Sequence, residues 1–356
     1  MNTNTQKLHQ LGQRLWLDNI SRPLLTSGTL ARYIADLSVT GLTSNPTIFE
    51  QAIAASGVYD EDIKRHAALG ESDEGIFFEL ALGDLKRAAD LFRPLFDESD
   101  GRDGWVSLEV SPLLAHDAAG TIRAALALHA IAKRPNLFIK IPGTAEGITA
   151  IEQSIIKGIP INVTLLFSPE HYLAAAEAYM RGLEQRLAAG MSVAVESVAS
   201  LFVSRWDAAV KDRAAIAFHN RLGIAIAMRT YHAYRELLAS DRWKKLAAAG
   251  ARPQRLLWAS TGTKDPAAPD TLYLEALAAP DTISTIPEKT LLAFADHGAV
   301  GVTLPADGGY ADNVLEEFRR EGITDEALAA QLQTEGVAAF AKSWSGLMTR
   351  IAEKRL

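Results

Sequence analysis

Lys140 closes an apolar run, Leu137-Phe138-Ile139-Lys140-Ile141-Pro142, that reads as a strand buried on both faces. Lysine is rarely buried unless something specific holds it there. Loss of water favours the neutral amine over the ammonium, and a neutral amine attacks carbonyl carbon. Neutralising an ordinary lysine at pH 7 costs about 4.6 kcal/mol, most of which a suitably buried setting removes. The alternative for this run alone is a strand-end lysine whose head snorkels to water. Glu109 poses a related question inside Trp105-Val106-Ser107-Leu108-Glu109-Val110, where an unpaired carboxylate is costly. It either makes a salt bridge or takes part in chemistry.

Further polar groups follow other apolar runs. Asp18 and Asn19 end one, and Thr43-Ser44-Asn45-Pro46 follows the next. Asn162 and Thr164 alternate, so in a strand they share one face, although threonine favours strands by propensity alone. Ser200 and Arg205 follow a further run, and Ser260 to Lys264 another. Gly262-Thr263-Lys264 suits a turn whose N–H groups and cation meet a phosphate. Each has a plainer reading: Asp18 caps a turn, Asn45-Pro46 starts a helix, Arg205 lies on a helix surface. The histidines lack ligand spacing, and His129, His171 and His232 sit in helical stretches, so neither a metal nor a cofactor is expected.

The elements that must position these groups alternate in type. Candidate strands are Leu15–Asn19, Ser38–Gly41, Trp105–Val110, Leu137–Ile141, Ile161–Phe167, Ser192–Ser200, Arg255–Ser260 and Thr282–Ile286. Alanine- and leucine-rich helical stretches such as Gly120–Lys133, Glu146–Lys157 and Pro169–Ala189 separate them. Such alternation predicts an α/β protein with a parallel sheet, and eight strands predict a (β/α)8 barrel with extra helices. A doubly wound sheet is the alternative, but its G-x-G-x-x-G fingerprint is absent, as is a P-loop. In a barrel, catalytic groups gather where strands enter the following loops. The groups above arrive there strand by strand, and they are the kinds an aldol reaction on a sugar phosphate requires.

We expect one domain over residues 1–356. Extra helices fill about 59–98, a long helical region spans Asp207 to Gly250 with a break near Ser240-Asp241, and an amphipathic helix occupies about 325–356. In the last, Phe340, Trp344, Leu347 and Ile351 form one stripe, read as core packing. With 36 basic against 43 acidic residues the net charge is −7, which argues against a nucleic-acid partner but leaves room for a local basic pocket. No cysteine is present, excluding disulfides and thiolate chemistry. Met1 to Gln10 is polar, unlike a signal peptide, and no apolar stretch reaches 18 residues, so a cytoplasmic protein without a membrane partner is expected.

Several of these segments together resemble the transaldolases, Schiff-base enzymes of the class I aldolase type. The matching segments are Leu17-Asp18-Asn19, Gly41-Leu42-Thr43-Ser44-Asn45-Pro46-Thr47-Ile48-Phe49 and Ser107-Leu108-Glu109-Val110-Ser111. They continue in order with Phe138-Ile139-Lys140-Ile141-Pro142-Gly143-Thr144, Ile161-Asn162-Val163-Thr164-Leu165-Leu166-Phe167-Ser168 and Ser200-Leu201-Phe202-Val203-Ser204-Arg205. The resemblance runs from about residue 15 to about residue 295. Trp258-Ala259-Ser260-Thr261-Gly262-Thr263-Lys264 looks most like a subfamily sometimes fused to a phosphoglucose isomerase, with no isomerase domain expected in this chain.

The resemblance implies a barrel with the Schiff-base lysine, Lys140, on its fourth strand. It implies transfer of a dihydroxyacetone unit from sedoheptulose 7-phosphate to glyceraldehyde 3-phosphate, giving erythrose 4-phosphate and fructose 6-phosphate in the pentose phosphate pathway. Asp18 would be the general base for the C4 hydroxyl, with Glu109 and Thr164 moving protons through an ordered water during imine formation. Asn45 and Asn162 would hold the three-carbon unit and Ser200, Arg205 and Lys264 the phosphate, with Ser260 also among the substrate-binding residues. Many relatives carry arginine where this longer loop has Lys264, which binds phosphate as a point charge instead of a bidentate fork. Partners would be sugar phosphates, with the chain a monomer or homodimer. The alternatives are an aldolase releasing dihydroxyacetone, like fructose 6-phosphate aldolase, and a non-catalytic sugar-phosphate-binding barrel.

Overall fold

A computed structural model describes residues 2–213 and 218–355. Eight parallel strands close into a barrel in sequence order. They are β1 Arg14–Asp18, β2 Val39–Thr43, β3 Trp105–Glu109, β4 Leu137–Pro142, β5 Ile161–Leu166, β6 Ser197–Phe202, β7 Arg255–Ala259 and β8 Thr282–Ile286. β8 pairs back onto β1, with Leu17 opposite Ile286. A (β/α)8 barrel is therefore the fold.

Local chemistry explains why helices begin where strands stop. Asn45, Asp117, Thr144 and Ser168 each accept a backbone N–H from the first turn of the helix that follows. Proline occupies the start of the helices Pro46–Ala55 and Pro169–Ala188, where its missing N–H costs nothing. Several strand-end residues thus serve as caps, whatever else they do.

One strand departs from expectation. The sequence predicts Ser192–Ser200 as the sixth, but residues 192–196 lie outside the strand and include a tight turn from Val195 N–H to the Val193 carbonyl. Glu196 instead pairs with Arg252 at 2.7 Å. The ladder begins where Ser197 meets Ile161 and runs on to Phe202, placing Ser200 inside the strand and not after it.

After the helix Pro46–Ala55, two further helices, Asp60–Ala68 and Asp73–Glu98, lie between β2 and β3. The region Asp207 to Gly250 includes helices Leu222–Ala239 and Asp241–Ala248, with Ser240 at the break; residues 214–217 lie outside those described. The C-terminal helix Asp325–Lys354 reaches from the ends of β4 and β5, where Gln333 bonds the Gly143 and Leu165 carbonyls, to the inserted helices, where Lys354 meets Asp60. No helix among the described residues is long and apolar enough to cross a membrane.

The interior is layered. Trp16 and Phe138 share the inward parity of Asp18 and Lys140, two residues earlier on each strand, and Trp105 shares that of Glu109, four residues earlier. Trp105 stacks on Phe138 with centroids 4.0 Å apart, and Trp16 lies 6.0 Å from Phe138. Below them Asp103 pairs with Arg14 at 2.7 Å and with Arg255 at 3.3 Å. The aromatic layer is thus the floor on which the polar groups stand. Gly41 makes room for it, since a Cβ there would lie 2.5 Å from Trp16 Nε1. Gly41→Ala should destabilise the fold by about 1–3 kcal/mol, through displacement of Trp16 or of β2. A urea titration followed by tryptophan fluorescence checks this, and an unchanged midpoint would show that the floor tolerates a methyl group.

Candidate active site

A cavity of about 340 Å³ opens at the C-terminal end of the barrel. Asp18, Asn45, Lys140, Thr164, Ser200, Arg205, Ser260 and Lys264 all line it. Glu109 and Asn162, the other residues singled out in the sequence, are buried outside that lining.

Strand register builds the centre. Glu109 stands opposite Lys140, and Lys140 opposite Asn162, so three strands deliver one polar row. Lys140 is only 5% exposed and does not snorkel to bulk water. Its Nζ donates to the Ser44 carbonyl at 3.0 Å and lies 3.1 Å from Glu109 Oε2. The second contact is a close ion pair between two buried side chains. Both contacts of the amine are with oxygen acceptors. Burial pushes the Glu109 carboxyl above the usual carboxylate range, and the Lys140 charge beside it opposes that rise.

Asp18 does not cap a turn. Ser21 caps the helix Arg22–Thr26, and Asp18 Oδ1 instead accepts the Thr43 hydroxyl at 2.8 Å. Thr43 is in turn 2.6 Å from Thr285 Oγ1, so β1, β2 and β8 share one hydrogen-bonded chain. Desolvation raises the Asp18 carboxyl, while Lys140, the Thr43 bond and Lys264 pull it back. The neighbouring Asn19 is engaged elsewhere, with Glu288 Oε2 at 3.1 Å.

The amide residues divide. Asn45 Oδ1 caps the helix Pro46–Ala55 through the Ile48 N–H at 3.0 Å, so its capping role is real and its amino group remains for a ligand. Asn162 is fully buried, donating to Ser107 Oγ at 3.1 Å and accepting from Ser200 Oγ at 2.7 Å. It therefore braces Ser200 from behind the wall. Ser200, having given its hydrogen to Asn162, presents lone pairs to the cavity, which suits a sugar hydroxyl better than a phosphate. Thr164 Oγ1 is buried without a partner among the described residues.

Two cations complete the cavity. Arg205, on the helix Ser204–Val210, stacks over Phe202 at 5.1 Å and over Phe340 at 5.8 Å, and no carboxylate lies within ion-pair distance among the described residues. Burial weakens its hold on its proton, with Glu335 opposing, yet arginine stays charged at any working pH. Ser260 has a positive φ of 54° and turns the chain out of β7, its hydroxyl 2.9 Å from Ser204 Oγ, before the loop reaches Lys264. Sequence reasoning missed Thr285 and Phe340. The strand-end rule that found Asp18 applies equally to Thr285 on β8. Phe340 had no such signal, because its helix follows the barrel; its stripe does pack in the core, but its own ring also lines the cavity. Among the described residues no cluster of His, Asp or Glu is placed to hold a metal ion.

A raised Asp18 carboxyl means the folded state binds that proton more tightly than the unfolded state. Its ionised form therefore costs stability at neutral pH, and the cost fades as pH falls through the folded-state value. Asp18→Asn should stabilise the protein at pH 8 by on the order of 1 kcal/mol, with a smaller gain at pH 5. Urea midpoints at the two pH values measure this; a gain that grows towards acid would contradict it.

The family model for "Transaldolase/Fructose-6-phosphate aldolase" matches residues 15–351. A protein named Transaldolase from Thermobifida fusca (strain YX) is 45% identical, the alignment covering 99% of each chain. Transaldolases from Frankia alni, covering 99% of this chain and 98% of theirs, and from Thiobacillus denitrificans, covering 98% and 99%, are each 44% identical. With the match spanning all eight strands and the cavity they enclose, this chain belongs to the transaldolase/fructose-6-phosphate aldolase family.

Proposed function

We propose that the protein is a transaldolase that carries a dihydroxyacetone unit as an imine on Lys140. The observation that carries this reading is a nearly buried amine, 3.1 Å from Glu109, in a cavity that Asp18 also lines. A binding site alone has no need of an amine so placed. The full-length relatives named Transaldolase support the same activity.

In this reading Lys140 passes a proton to Glu109 and attacks C2 of a ketose phosphate. Loss of water, with Glu109 and Thr164 moving protons, gives the protonated imine. Asp18 takes the C4 hydroxyl proton as the C3–C4 bond breaks, leaving an enamine and a free aldehyde. It returns that proton when the acceptor aldehyde is attacked. Sedoheptulose 7-phosphate thus gives erythrose 4-phosphate, and glyceraldehyde 3-phosphate becomes fructose 6-phosphate. The Asn45 amino group and Ser200, braced by Asn162, hold hydroxyls of the three-carbon unit. Arg205, Lys264 and Ser260 receive the phosphate end, Arg205 having no carboxylate within ion-pair distance among the described residues. Sugar phosphates do not cross membranes unaided, so the reading carries a cytoplasmic location.

Borohydride added with fructose 6-phosphate should trap a three-carbon adduct on Lys140, located by mass mapping. Lys140→Met should abolish adduct and turnover, and it should also destabilise the fold by about 3–5 kcal/mol, because Glu109 is left buried without its partner. Adding Glu109→Gln should recover stability but not the adduct. An adduct surviving Lys140→Met would end the imine reading. Product analysis with and without acceptor separates transfer from simple aldol cleavage. Arg205→Ala should raise KM for phosphorylated sugars at least about 10-fold with a smaller effect on kcat, and an unchanged KM would move the phosphate site elsewhere.

A further inference from the structure

We infer that Gln333, on the C-terminal helix, is a positioning residue for the reaction, acting through the backbone turn that aims Thr164 into the cavity. The inference rests on the imine reading proposed above. Its basis is a break in the β5–β6 ladder. Val163 stands opposite Ala199, but the next partners are Leu166 and Leu201, so Thr164 and Leu165 drop out of the pairing. Leu165 takes a positive φ of 58° with its side chain buried. A non-glycine residue held in that region persists only when its surroundings over-determine it.

Gln333 supplies that constraint. Its Nε2 donates to the Leu165 carbonyl at 3.0 Å and to the Gly143 carbonyl at 3.0 Å, so both amide hydrogens are used. Gly143 N–H in turn donates to the Thr164 carbonyl at 2.7 Å. Two of these bonds fix the peptide units on either side of Leu165, the first of which begins at Thr164, and the third ties the loop after the Lys140 strand to the same glutamine. The helix has no slack to shift here: a Cβ at Gly336, one turn on, would lie 3.0 Å from Leu165 Cδ2 and 3.2 Å from Arg205 Nη1. Thr164 Oγ1 has no hydrogen-bond partner among the described residues, so its direction follows the backbone that carries it. Gln333 itself is not among the residues lining the cavity.

The test compares Gln333→Leu, Gln333→Lys and Gln333→Glu with wild type, each checked for folding by circular dichroism. Leucine removes both donors, lysine can donate to both carbonyls, and ionised glutamate can only accept. The rate of borohydride-trapped adduct formation with fructose 6-phosphate should fall roughly 10- to 100-fold in the leucine and glutamate variants, as expected for a sub-ångström misplacement. Lysine should keep the rate within about threefold, and KM for the sugar phosphate should stay within about twofold in every variant. Should the leucine variant not fold, the lysine–glutamate pair carries the same comparison. Equal rates in the lysine and glutamate variants, a wild-type rate for leucine, or a loss confined to KM would overturn the inference. Failure of the wild type to form any adduct would instead overturn the imine reading on which it stands.

Discussion

The Lys140 amine can stand almost out of water only because Glu109 and the Ser44 carbonyl stand beside it. A lone buried charge is ruinous, and a paired one is roughly neutral against apolar packing, so this pair adds little net stability. What it secures is an amine next to a carboxylate that burial has made a better proton acceptor than usual. Everything around it serves that arrangement: the aromatic floor of Trp16, Trp105 and Phe138 excludes water from below, and the register of β3, β4 and β5 sets the lateral order.

Several residues perform two tasks at once. Asn45 caps a helix with its oxygen and keeps its amino group for the cavity. Thr43 ties β2 to β1 and to β8 while orienting the Asp18 carboxylate. Phe340 anchors the C-terminal helix and offers its face to Arg205. A plain structural account of any one of these residues is therefore correct and incomplete, because in a barrel the strand-end loop that starts the next helix is also the wall of the cavity.

Asp18 shows the opposite trade. Its carboxylate is held where ionisation is disfavoured, with a threonine hydroxyl and two lysines only partly compensating. Sites that must move protons near neutral pH are built this way, and the fold bears the cost through the rest of its core.

Much was legible without coordinates. Strand periodicity, cap residues and the eight-fold alternation are local properties, so the barrel, seven of its strands to within about two residues, and the break at Ser240 could be read directly. Lys140 and Glu109 announced themselves because a charged side chain in an apolar run is expensive wherever the strand ends up. The sixth strand misled because residues 192–196 have strand-like composition, and only the pairing partner decides whether such a segment joins a sheet. Composition and spacing also could not say that Asn162 would be spent on Ser107 and Ser200, or that Phe340 would reach the cavity. Nor could they say that Gln333 would clamp a turn 168 residues away. Those facts depend on which surfaces meet after the chain has closed, and non-local contacts leave no periodic trace along the chain. Local pattern along the chain sets the alternation of elements and the chemistry available at the strand ends; closure of the barrel and the path of the last helix select which of those groups face the cavity and which only hold the others in place.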